Sequence, residues 1–131
     1  MGLLEDVGTY LAANSTRYTL GTSLFLNYMP SDPNRAQALI ETPGSPPARA
    51  FSGDAVSWEQ ARFQLTCRST SSATARADIQ AGWDLLEAVF NETLSSNTFL
   101  RISAVQSPFL LARDEQGRPT FASNFDAWRV P

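Results

Sequence analysis

From Leu3 to Ala13, Leu3, Leu4, Val7, Tyr10 and Leu11 share one side of a 3.6-residue period, with Glu5, Asp6 and Thr9 on the other. This pattern predicts an amphipathic helix that ends at Asn14-Ser15. From Leu24 to Met29 the run LFLNYM is rich in strand formers and is closed by Pro30 in the turn-like PSDPN. A second short strand is predicted over Gln37 to Thr42. The segment PGSPP, Pro43 to Pro47, then opens a loop, because proline lacks the N–H and has a fixed φ. Its extent to about Val56 exceeds the usual connection, which marks it as a contact arm.

Over Trp58 to Ser69 the period changes to two. Phe63, Leu65 and Cys67 alternate with Arg62, Gln64, Thr66 and Arg68, as a half-buried strand requires, so Arg62 and Arg68 are expected on its wet face. The Ser/Thr cluster Ser69 to Thr74 opens a long helix expected to run to about Thr93. Ala75, Ile79, Trp83, Leu86 and Phe90 form its buried arc, widened by Gly82, Leu85 and Val89; Arg76, Gln80, Asp84, Glu87 and Asn91 lie opposite. Three strands follow, over Thr98 to Val105, Pro108 to Arg113 and Thr120 to Arg129. The turn Asp114-Glu115-Gln116-Gly117, closed by Pro119, joins the last two as a hairpin. Two helices among sequential strands predict an α+β fold: a mostly antiparallel sheet with both helices packed on one face.

Composition narrows the function. A chain of 131 residues with 43% hydrophobic and 18% charged residues fits one globular domain, 1–131. No apolar run approaches membrane-spanning length and no basic segment precedes an apolar stretch near residue 1, so neither insertion nor export is expected. The sequons at Asn14 and Asn91 are accordingly read as chance. Cys67 is the only cysteine, which excludes an intrachain disulfide and points to a reducing compartment.

All ten basic residues are arginine, and the net charge is −3 with no histidine. An acidic surface without a basic cluster argues against tight nucleic-acid binding. The missing imidazole excludes Ser-His-Asp, Cys-His and histidine–zinc chemistry, and no GxxxxGK or strand-borne GxGxxG is present. Asp84 with Glu87 is the one carboxylate pair on a helix face, and it reads as solvated surface. Cys67 reads as a small core residue rather than a nucleophile, since nothing near it supplies a base. No catalytic residue, metal or cofactor is therefore expected, and the function is expected to be binding. Among the tryptophans, Trp83 and Trp128 are read as core, while Trp58 beside the proline-rich loop is the one best suited to an interface.

LLEDVGTYLAA at Leu3 to Ala13, LFLNYMP, ALIETPGSPPARAF, WEQARFQLTCRS at Trp58 to Ser69 and SPFLLARDEQGRPTFASNFDAWR at Ser107 to Arg129 occur in an order that resembles the tail terminators of long-tailed bacteriophages, often labelled minor capsid proteins. The resemblance covers most of the chain and carries no catalytic signature. It implies a virion protein, assembled in the host cytoplasm, whose homo-oligomeric (hexameric) ring caps the tail tube, stops its polymerisation and meets head and neck connector proteins. DNA would pass through only as cargo, repelled by an acidic lining. On that reading the expected contact residues are Arg49 in the loop, Arg62 and Arg68 on the strand, and Asp114 and Arg118 at the hairpin tip, together with Trp58. A head-side connector or stopper, a tail-tube subunit and a small-molecule binding module are the alternatives, with a carboxylate-only hydrolase last.

Overall fold

A computed structural model describes residues 2–43, 48–49, 56–95 and 97–130. The elements are α1 (Leu3–Asn14), β1 (Leu24–Leu26), β2 (Ala36–Thr42), β3 (Ala48–Arg49), β4 (Val56–Arg68), α2 (Ser72–Glu87), β5 (Phe90–Leu94), β6 (Asn97–Ala104), β7 (Phe109–Arg113) and β8 (Pro119–Arg129).

Two long strands organise the sheet. β4 and β8 pair antiparallel from Glu59 opposite Arg129 to Arg68 opposite Thr120, a ladder of about 33 Å at the usual rise per residue. β2 lies along the free edge of β4, and β7 and then β6 lie along that of β8; β3 pairs with β4 beyond the end of the ribbon, and β1 and β5 form the outermost strands of the main path β1-β2-β4-β8-β6-β5. The α+β architecture with helices on one face is as the sequence predicts, but the sheet is mixed. β1 runs parallel to β2, because residues 27–35 loop out and return in the same direction, starting at Asn27 with φ 65.

The period of two in β4 turns Phe63, Leu65 and Cys67 toward the helices, opposite Phe125, Ser123 and Phe121 of β8. Phe63 stacks on Phe125 with centroids 5.4 Å apart. Val7 and Leu11 of α1, Ile79 and Leu86 of α2, Ile102 and Tyr18 complete one core. Each such side chain contributes about 1.5–3 kcal/mol by leaving water. Ser71 caps α2 by accepting the Thr74 N–H at 3.4 Å.

Four expectations are corrected. The long helix stops at Glu87 instead of about Thr93: Val89 closes onto the core, and the chain from Phe90 pairs with β6 as β5, with Asn91 at φ 50. Phe90 is consequently 66% exposed rather than in the buried arc. Asp6 is buried, its carboxylate accepting the Asn97 amide at 2.6 Å, because α1 is covered by the β5–β6 end of the sheet as well as by α2. Finally, the Pro43–Val56 segment is not loop throughout, since Ala48 and Arg49 pair with Trp58 and Val56. Residues 44–47 and 50–55 of that segment lie outside the described residues.

Candidate assembly surfaces

The end of the sheet nearest Arg68 is closed by two guanidinium groups. Arg68 leaves β4 at its last rung and donates to the carbonyls of Pro30 (2.7 Å), Pro33 (2.6 Å), Asn34 (3.3 Å) and Ser31 (3.4 Å). Arg118 donates to Ser31 O at 2.8 Å, Asn34 Oδ1 at 3.0 Å and Asp114 Oδ2 at 2.6 Å. The loop between β1 and β2 is therefore held by side chains from β4 and from the β7–β8 turn, not by ladder pairing. The turn is an Asx motif: Asp114 Oδ1 accepts the N–H groups of Gln116 and Arg118, and Gly117 takes φ 78. Burial and the neighbouring Arg118 cation lower the Arg68 pKa. Burial pushes the Asp114 carboxyl up, but bonds from Arg118 and Gln116 outweigh it and hold it below the usual carboxylate range. Between this clasp and the outer face of the sheet lies an open groove of about 500 Å³, bordered by Met29, Ile40, Gln64, Thr66, Leu111 and Thr120.

A second polar node lies on the helix side. Asp78 of α2 is fully buried and accepts Arg17 at 2.9 Å and the fork of Arg35 at 2.8 and 2.7 Å. The bidentate fork suits the carboxylate geometry and ties β2 and the segment after α1 to α2. Tyr18 donates its hydroxyl to the Asp78 carbonyl and touches the Cys67 sulfur at 3.7 Å. Burial raises the Tyr18 hydroxyl well above its ordinary value and drives the Cys67 thiol far above the reactive range, so Cys67 is core, as expected.

The six expected contact residues fall into three places. Arg49 and Trp58 lie in β3 and β4 at one end of the sheet, and their side chains lie outside the described residues. Arg62 is on the outer face and half-exposed, paired with Asp126 directly across the ladder at 2.7 Å. Arg68, Asp114 and Arg118 gather at the other end. There the expectation of free surface is corrected for both arginines: Arg68 is 3% and Arg118 6% exposed, because the Pro30–Asn34 loop folds over them. The Asp84 and Glu87 carboxylates have structural partners, Gln80 Nε2 at 3.0 Å and the Ala104 N–H at 2.9 Å.

What the sequence reading missed is apolar. Phe90 in outermost β5, with Leu110 and Leu111 in β7, is among the exposed large hydrophobic side chains. A signal was present at Leu110-Leu111, where two successive apolar residues in a strand must point to opposite faces.

The model of the bacteriophage tail terminator protein family matches residues 10–128. The chain belongs to that family. The tail terminator family is one of structural phage proteins, and the chain is accordingly a structural component of the virion. In solved structures, it is similar to a chain from the virion of a native gene transfer agent particle, with a TM-score of 0.67 over 98% of this chain and 95% of that one. At 18% identity this likeness speaks to the fold, which the tail terminator shares almost end to end. No curated protein matches its sequence significantly.

Proposed function

We propose that this tail terminator acts as one domain that assembles into a closed, hexameric ring on the last ring of the tail tube. It arrests tube polymerisation by occupying the site another tube subunit would take. The opposite face of the ring meets the neck proteins below the head, and DNA passes through as cargo. The role is steric and no bond is made or broken. The observation that carries this reading is the family match across residues 10–128. It is supported by a surface on which uncovered apolar residues lie at the sheet margins, as self-assembly through different patches of one subunit requires.

The test is assembly of the purified chain followed by native mass spectrometry and negative-stain microscopy, then addition to polymerising tube protein of the same phage. The expected outcome is a ring of one fixed mass that halts tube growth at substoichiometric amounts. Open filaments of the chain alone would assign it to the tube instead. A ring that leaves tube growth untouched but binds head-side connector would make it a neck component.

A further inference from the structure

Two parts of this chain are structurally incomplete, and they stand at opposite corners of the sheet. The first is the arm. Val56, Ser57 and Trp58 lie beyond the last described rung between β4 and β8, at Glu59 opposite Arg129, and β3 pairs with β4 alone. A two-stranded ribbon is at best marginally stable in water and gains stability when a third strand or a packed surface joins it. Among the described residues, no strand other than β4 pairs with β3.

The second is the edge beyond β8. It is closed in stages by the chain itself: β5 pairs with β6, Ile102 N–H donates to Val89 O at 3.3 Å, Ala104 N–H donates to Glu87 Oε1 at 2.9 Å, and Trp83 Nε1–H donates to Gln106 O at 3.1 Å. Past Gln106 the series stops. Among the described residues, the backbone of Phe109–Arg113 pairs with β8 only. Leu110 and Leu111 are 50% and 47% exposed, so this bare edge presents a leucine on each face of the sheet. Soluble proteins usually block such edges with charge, proline, a bulge or a covering segment, and before Arg113 β7 carries only a bulge, at Leu111. Leu111 also opens onto the groove beside the Arg68–Arg118 clasp, leaving room for an incoming side chain.

We propose that the β3 edge of the arm pairs with the β7 edge of an adjacent copy of this chain, so that each subunit completes the sheet of its neighbour. This inference rests on the ring reading above and names its contact. Topology argues for a second copy as the occupant. β7 flanks β8 on the side away from β4, and β3 pairs with β4 at the opposite end of the roughly 33 Å ladder. Contacts between two such distant, different patches pass from copy to copy and close when the rotation fits, whereas β7 against β7 would stop at a two-fold dimer.

Introduced cysteines test this directly, because Cys67, the one native thiol, is fully buried. Adjacent strands place opposed Cα atoms about 4.5–5.5 Å apart, within disulfide range. Ala48→Cys and Arg49→Cys are each combined with Leu110→Cys, Leu111→Cys and Ala112→Cys under mild oxidation. An arm variant mixed with an edge variant is expected to give a crosslinked pair, while neither crosslinks with itself. Both changes in one chain are expected to give a ladder up to the full ring. In the assembled ring, Leu111→Cys is expected to be protected from maleimide at least tenfold. Leu110→Lys with Leu111→Lys is expected to leave a folded monomer with unchanged far-UV circular dichroism. Rings that form with no arm–edge crosslink in any combination overturn the pairing and leave the ring reading intact. Self-crosslinking of an edge variant overturns it in favour of a two-fold contact. A ring whose Leu111→Cys reacts as fast as in the monomer overturns it too, and assigns the edge to another virion protein. A wild-type chain that never oligomerises removes the ring reading and the pairing together.

Discussion

Arg68 and Arg118 both donate to the carbonyl oxygen of Ser31, at 3.4 and 2.8 Å, although one ends a central strand and the other lies in the turn of a distant hairpin. Through that shared oxygen the β1–β2 loop, β4 and the β7–β8 hairpin become one piece. The hairpin that carries the bare β7 edge is thus fixed relative to the body, and the binding edge is presented in a preorganised position.

The two arginines of β4 should therefore differ sharply on truncation. Arg68→Ala takes the donor from the Pro30, Pro33 and Asn34 carbonyls, leaving Ser31 O to Arg118, and is expected to cost about 2–3 kcal/mol, the scale of hydrogen bonds to a charged group. Arg68→Lys should recover less than half of this, because an ammonium cannot span the fork. Arg62→Ala removes a half-exposed pair with Asp126 and should cost no more than about 1 kcal/mol. Urea unfolding of the three variants measures the difference.

Asp114 predicts a pH dependence of known sign. Its folded pKa lies below the ordinary carboxylate value, so its contribution to stability is present above about pH 4 and is lost as pH falls through the folded pKa. The difference in Tm between wild type and Asp114→Asn should be constant from pH 5 to 8, in the roughly neutral range, and should shrink toward zero below about pH 4. A difference that grows in acid would contradict the bonding from Arg118 and Gln116.

Gly82 predicts that a better helix former will destabilise the protein. A Cβ there would press on the Tyr18 hydroxyl and come within 2.7 Å of Leu65 Cδ2. Alanine gains about 1 kcal/mol in helix propensity, but overpacking costs about 1–3 kcal/mol, and the Tyr18 bond to the Asp78 carbonyl is disturbed as well. Gly82→Ala is expected to lower the Tm by several degrees in differential scanning calorimetry. An increase would mean that Tyr18 moves aside at no cost.

Cys67 should be silent toward thiol reagents in the native protein. Burial both blocks access and raises its pKa, so labelling should follow global unfolding and rise in step with the denaturation curve. Rapid labelling in buffer would place the sulfur at an opening the structure does not contain.

Most of the elements were legible in the sequence because each is specified by near-neighbour periodicity: the 3.6-residue stripe of α1, the alternation of β4 with Cys67 inside, and the Asp114–Gly117 turn. The helix-on-sheet architecture follows, since those apolar faces must cover one another. Long-range placement was not legible. Alternation assigns Arg68 to the outer face, and that face is right, but only the fold brings the Pro30–Asn34 loop over it and turns an expected contact residue into a buried clasp. Asp6 was likewise on the polar side of its helix until the β5–β6 end of the sheet covered it. Phe90 looked like the end of a helical stripe, and became an exposed strand residue because α2 stops at Glu87. The bare β7 edge depends on where the chain's own caps, Glu87 and Trp83, run out. Local periodicity determines which face a side chain takes; what stands against that face is set by contacts between residues tens of positions apart, and these exist only once the chain has folded.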